Sequence, residues 1–259
     1  PAASEVQVVR DGRVLRITIH RPDKHNALSQ PVLAALRSAF GEATRDADLC
    51  CVLLRGAGSR YFAAGGDLRE LADVRTESGT RAMATESRAA LDAIRDFPVP
   101  VVAILNGDAI GGGAELAVAC DFRVMREGAS MGFIHGKLNI TSAWGGGPDL
   151  VSLVGPARAL YMTARCAMIP APTALAWGLA DALARDDALE EDVAEFIKPI
   201  LRQSSKALRA GKDQVRCYRR GASYEERRTA EHENFVVTWL DPAHWAAADR
   251  LLAPREVNR

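Results

Sequence analysis

The chain has 259 residues, of which 48% are apolar and 25% charged, enough to bury a real core and too apolar for a disordered segment. Its 33 basic and 33 acidic residues cancel, which excludes a nucleic-acid binder working through bulk positive charge and leaves room only for a local basic pocket. The cysteines (Cys50, Cys51, Cys120, Cys166 and Cys217) show no C-x-x-C or Cys/His ligand spacing, so they read as reduced thiols in a chain with no metal site.

In chain order, "VQVVRDGRVLRITIH" sets two β-type runs around Asp11 and Gly12, the strongest short hairpin signal. "QPVLAALRSAFGEA" spaces Leu33, Leu36 and Phe40 as a helix does, with Pro31 in the first turn. "CCVLLRGAG" is a buried strand closed by glycines, while "DLRELADV" and "RAMATESRAALDAIRDF" read as helices. Pro98 and Pro100 end the second of these, and "VVAIL" is another buried strand running into Asn106 and Gly107. A glycine-led helix follows, then "FRVM" and "SMGF" as short strands. From about residue 156 the pattern turns mainly helical, ending in "EERRTAEHENFVVTWL" and "PAHWAAADRLL". Strands alternating with helices predict an α/β layered fold. We divide it into a core over residues 1–195 and a helical C-terminal extension over 196–259. No run reaches the length of a membrane span and the N-terminus carries no signal-peptide pattern, so the cytoplasm is the expected location, without membrane or nucleic-acid partners.

Two segments carry the chemistry. In "NGDAIGGGAELAVACD" three glycines precede an apolar helix whose first turn holds one carboxylate, Glu115. Glycine lets a backbone approach a ligand closely, and a helix start presents unpaired N–H groups, so Gly111, Gly112 and Gly113 make a receptor for a negative oxygen. Taken alone, the run also fits a tight turn with close strand–helix packing. "YFAAGGDLREL" repeats the device, with Gly65 and Gly66 before a helix expected to be capped by Asp67. Two such junctions can aim two N–H groups at one developing oxyanion, as a thioester turning into an enolate requires. Neither segment matches a phosphate-binding loop or a dinucleotide fingerprint.

The segments "RPDKHNAL", "YFAAGGDL" and "DFPVPVVAILNGDAIGGGAELAVACDFRVM" resemble the enoyl-CoA hydratase/isomerase, or crotonase, superfamily, in order and over nearly the whole chain. The resemblance implies a spiral of repeated ββα units, C-terminal helices at subunit contacts, trimers or hexamers, and acyl-CoA substrates. It implies no cofactor beyond the coenzyme A part of the substrate, and no metal. Carried over by position, the oxyanion N–H groups belong to Gly66 and Gly112, and Glu115 stands beside the reacting carbons. Lys24, Ala64 and Leu68 fall where the family wraps coenzyme A, although a solvated surface lysine fits Lys24 as well.

Hydratases of the family use two glutamates to hold water. Here the second position, twenty residues after Glu115 at the end of "SMGF", is His135. A histidine can donate to a substrate carboxylate or hand a proton to an enolate carbon, and it also fits a core-edge residue satisfied by backbone. "FIHGKLNITSAWGGGPDLVSLVG" is similar to the ethylmalonyl-CoA decarboxylase subgroup, which implies loss of carbon dioxide from a malonyl- or alkylmalonyl-type thioester. Trp144 with Gly145, Gly146 and Gly147 is expected to shape the acyl pocket floor, and also fits a packing tryptophan above a glycine turn. The alternatives are a hydratase or other carbon–carbon lyase with His135 in place of the second carboxylate, and a non-catalytic binding or assembly member. His232 and His244 in the terminal helices read as structural or interface residues, and His25 as a turn residue.

Overall fold

A computed structural model describes residues 5–253; the outer ends of the two expected segments, residues 1–4 and 254–259, lie outside the described residues. The chain opens with the expected hairpin, β1 (Val6–Asp11) and β2 (Val14–Ile19), antiparallel with Asp11 opposite Val14. Gly12 takes a φ of +54°, the left-handed conformation that such a turn demands. Helix α1 (Gln30–Ala43) follows, its N-terminus capped by the Ser29 hydroxyl, which accepts from the Val32 N–H.

Three ββα units then repeat. The first is β3 (Cys51–Gly56), β4 (Tyr61–Ala63) and α2 (Glu77–Arg95). The second is β5 (Val101–Leu105), β6 (Asp108–Ile110) and α3 (Gly112–Ala119). The third is β7 (Phe122–Arg126), β8 (Ser130–Gly132) and α4 (Gly146–Val154). In each unit the first strand joins one sheet and the second strand joins another, so the chain winds as a spiral between two layers. Helix α5 (Pro156–Ala164), β9 (Met168–Pro170), α6 (Ala171–Trp177) and β10 (Ala182–Ala184) complete the layers, giving a six-stranded sheet β1-β2-β3-β5-β7-β10 and a four-stranded sheet β4-β6-β8-β9. Helices α7 (Leu189–Leu201), α8 (Ser205–Arg219), α9 (Tyr224–Trp239) and α10 (Pro242–Leu252) form the C-terminal part.

The continuous apolar runs have a direct cause. Along β3, Val52 and Leu54 face the main core while Cys51 and Leu53 face a second core under Val193 and Ile197 of α7. Strand β5 divides in the same way, with Val101, Ala103 and Leu105 on one side and Val102 and Ile104 on the other. A strand buried on both faces has no use for polar alternation. Burial also pushes the thiols of Cys51 and Cys120 up to about 12, which leaves them as inert small hydrophobes.

One expectation is corrected. "DLRELADV" is not an α-helix: it holds a single 3₁₀ turn at Glu70–Asp73, because Leu68 is 58% exposed and the segment has too little buried face to hold a helix on the core. The region after residue 156 is mainly helical as expected, interrupted by short β9, antiparallel to β8, and short β10, parallel to β7. The two terminal helices stand where the sequence puts them.

Candidate active site

The loop after β4 and the start of α3 meet at one point. A β-carbon on Gly65 would lie 3.4 Å from the Gly112 nitrogen, so the two glycine segments are in van der Waals proximity. Gly66 forms a parallel bridge with Leu28, in which the Leu28 N–H donates to the Gly65 carbonyl (2.7 Å) and the Asp67 N–H donates to the Leu28 carbonyl (3.2 Å). A bridge of that kind uses the carbonyl before Gly66 and the N–H after it, and turns the Gly66 N–H to the opposite side. The Gly112 N–H belongs to the first turn of α3, which offers it no intrahelical acceptor.

Each glycine of the triple run has its own reason. Gly111 adopts a φ of +54°, side chains at Gly112 would strike the Trp144 indole, and side chains at Gly113 would strike the Ala63 backbone. Asp67 turns out to be a turn residue rather than a helix cap. One carboxyl oxygen accepts from the Arg69 N–H (3.3 Å) and the other from the buried Arg21 guanidinium (3.0 Å). Burial pushes the Asp67 carboxyl up, but the Arg21 hydrogen bond and the N–H groups of residues 70 and 69 outweigh it and hold the group below its ordinary value.

Glu115, 1% exposed, points from α3 into the same space. Its Oε2 accepts from the Trp144 N–H (2.9 Å) and the Gly146 N–H (3.0 Å). Its Oε1 lies 3.2 Å from Nε2 of His135, whose side chain is 13% exposed. His135 does not end the strand: β8 stops at Gly132, and His135 opens a 3₁₀ turn, His135–Leu138, that swings the imidazole back onto Glu115. The pair has one carboxylate oxygen saturated by backbone and the other shared with an imidazole.

A cavity of about 820 Å³ opens over this pair. Ala64, Gly66, Leu68, Gly112, Glu115, His135 and Trp144 of the sequence-derived set line it together. Leu71, Met83, Ala84, Leu138 and Ile140 add apolar wall, and Lys137 adds a cation. Lys24 stands apart from the cavity, exposed at the end of a 3₁₀ turn, Pro22–Lys24. Gly145 is not part of the wall either. It turns the chain with a φ of +88° behind Trp144, and its α-carbon faces the Arg95 guanidinium. His25 is the turn residue expected, with a φ of +54° and its ring 4.6 Å from Tyr61. His232 is exposed on α9, and His244 packs against Trp239 and Trp245. Sequence reading missed Arg95 and Lys137. Arg95 had a visible signal, since it falls on the same stripe of α2 as Ala90, Leu91 and Ile94, where a charge demands a buried partner.

A family model described as enoyl-CoA hydratase/isomerase matches residues 10–241. The chain is 30% identical over 212 residues to a short-chain-enoyl-CoA hydratase of Clostridium acetobutylicum, covering 82% of this chain and 81% of that protein. It is 28% identical over 231 residues to an ethylmalonyl-CoA decarboxylase of Xenopus tropicalis, covering 88% and 77%. The solved structure of an enoyl-CoA hydratase from Bacillus anthracis matches with a TM-score of 0.89 at 28% identity, over 96% of both chains.

Proposed function

The chain belongs to the enoyl-CoA hydratase/isomerase family, and on that premise we propose that it decarboxylates a malonyl- or alkylmalonyl-type coenzyme A thioester. As an acyl-CoA enzyme of the crotonase superfamily it needs a place for the thioester oxygen, which the Gly66 and Gly112 N–H groups supply. The finer reading is carried by one observation, the His135 imidazole on Glu115 where a hydratase would hold water between two carboxylates.

In the proposed reaction the thioester oxygen accepts both N–H groups, and the substrate carboxylate stands perpendicular to the carbonyl plane. The carbon–carbon bond to the carboxylate breaks, its electron pair enters the thioester as an enolate, and carbon dioxide leaves. Charge then gathers on the oxygen facing the two donors, each worth about 3 kcal/mol in enzymes where one has been removed. The apolar wall of Leu71, Met83 and Ile140 withholds water from the carboxylate, which favours its conversion to a neutral gas. The α-carbon takes one proton from the His135–Glu115 pair, and the pair recovers it from solvent. One proton is consumed, one carbon dioxide is released and the thioester survives.

Ala64 and Leu68 on the cavity wall, with Lys24 outside it, are the residues assigned to the coenzyme A arm. The exposed apolar residues Phe235, Val237, Trp239 and Trp245 of α9 and α10, with Leu240 between them, support the trimeric or hexameric assembly expected of the family. Hydration is the second reading, favoured by Glu115 on the cavity wall and by the hydratase relatives. A mass-spectrometric assay separates the two. Malonyl-, methylmalonyl- and ethylmalonyl-CoA are offered beside crotonyl-CoA and longer enoyl-CoAs. Loss of carbon dioxide from the first group with the second unchanged is the expected result; hydration of the second group alone overturns the proposal.

A further inference from the structure

We propose that Arg95 is a positioning residue for the reaction centre, acting through residues 144–146 on the Glu115 carboxylate; the inference rests on the catalytic reading of Glu115 and His135 above. Arg95 lies at the end of α2, 9% exposed, and is not itself a lining residue of the cavity, which it meets only through the backbone of Trp144. Its guanidinium reaches three acceptors on three separate pieces of chain. Nε donates to Asp149 in the first turn of α4 (2.8 Å), one terminal nitrogen donates to Asp92 on its own helix (2.8 Å), and the other donates to the Trp144 carbonyl (3.0 Å).

The last of these bonds carries the argument. The Trp144 carbonyl belongs to the peptide plane joining residues 144 and 145. The planes on either side of it supply the Trp144 N–H and the Gly146 N–H, and both of these donate to the same oxygen of Glu115. Pinning the middle plane restricts the rotation of its two neighbours, because only two soft dihedrals separate adjacent planes. Gly145 tightens the coupling: it sits so close over the guanidinium that a β-carbon there would lie 2.9 Å from a terminal nitrogen. The same segment places the Trp144 indole against Gly112 and near Gly66. One buried cation therefore orients the carboxylate and sets the wall beside both oxyanion donors.

The fork is what the position needs. A guanidinium presents donors in fixed directions and can serve the three acceptors at once, whereas an ammonium on a flexible stem keeps the charge without that geometry. The charge-assisted bonds to Asp149 and Asp92 hold the fork still while the bond to Trp144 is made.

The experiment compares Arg95→Met, Arg95→Lys and Asp149→Asn, each alone and combined with Glu115→Gln. Two readouts are taken: kcat and KM on the acyl-CoA that the protein turns over, and the NMR titration curve of the His135 imidazole. His20, His25, His232 and His244 serve as internal standards for that curve. Arg95→Met is expected to lower kcat about 10²-fold with little change in KM, the scale of a small misplacement at a reaction centre. In the Glu115→Gln background it is expected to cost clearly less than in the unaltered protein, because the carboxylate it acts through is already gone and only the seating of the Trp144 indole remains to be lost. Arg95→Lys is expected to restore part of the loss, and the His135 curve to move while the other four stay. Asp149→Asn, which loosens the fork without removing the buried cation, is expected to shift His135 in the same direction and answers the question if Arg95→Met does not fold. Equal losses in both backgrounds with an unmoved His135 curve would overturn the inference and leave Arg95 a purely structural residue. The titration needs no turnover, so an unaltered curve and the absence of any substrate remain separate failures.

Discussion

The two glycine segments look alike in sequence and differ in structure. Residues 112–119 form what the pattern predicts, a helix whose first turn presents a free N–H and whose fourth residue is Glu115. Residues 65–73 present their N–H by another route, a parallel bridge to Leu28 followed by a turn that Asp67 holds through Arg69 and Arg21. The helical segment is entirely buried and close-packed; the turn segment is half-open and tied down by an ion pair. On the proposed function the two share a task, aiming one N–H at one oxygen, held once by core packing and once by a polar tether, and the two should break in different ways.

The largest effect is expected for Gly112→Ala. Its β-carbon would run into the rigid Trp144 indole, so the ring or the helix start must shift. Overpacking of this kind costs about 1–3 kcal/mol of stability, and displacement of the Gly112 N–H from the oxygen it is proposed to serve is expected to lower kcat by up to about 10²-fold. Steady-state kinetics and denaturant melts check both figures, and a fall in stability without a fall in kcat would separate Gly112 from the chemistry.

Acid should loosen the other segment first. The Asp67 carboxyl titrates below its ordinary 3.8 in the folded protein, so the stabilisation from the Arg21 pair is complete above that value and drains away as pH falls through the lowered folded value. Hydrogen exchange followed from pH 6 to about pH 3 should show residues 65–73 opening before residues 111–119. Asp67→Asn should flatten that difference, and simultaneous opening of both segments would show that the tether is not what holds the turn.

The smallest effect belongs to Gly66→Ala. There a β-carbon meets only the end of the Leu71 side chain at 3.3 Å, which can swing aside, and the indole at ordinary contact distance. A stability change within about 0.5 kcal/mol is expected, with a modest loss of kcat from crowding at the donor. A loss as large as that of Gly112→Ala would mean the turn is as tightly packed as the helix.

Much of this was legible beforehand. The Asp11 and Gly12 hairpin, the doubly buried strands β3 and β5 and the limits of α10 follow from local chemistry that tertiary contacts do not override. Strands β9 and β10, "MIP" and "ALA", are three residues each and too short to show a strand pattern; they exist because β8 and β7 offer them ladders. The meeting of Glu115 and His135 was visible as a spacing, but the 3₁₀ turn that brings Nε2 to Oε1 was not. Gly145 was legible as a glycine beside a tryptophan; that it backs onto Arg95 depends on a contact forty-nine positions upstream of Trp144 that no local pattern encodes.

The central claim is that the Gly66 and Gly112 N–H groups meet on one thioester oxygen. Isotope-edited infrared difference spectroscopy of butyryl-CoA labelled with carbon-13 at the thioester carbonyl, a ligand that can be neither decarboxylated nor hydrated, tests it most directly. The account predicts that the carbonyl band moves to lower frequency on binding and that most of the displacement disappears in Gly112→Ala. A bound thioester absorbing at its free-solution frequency in the unaltered protein would contradict it.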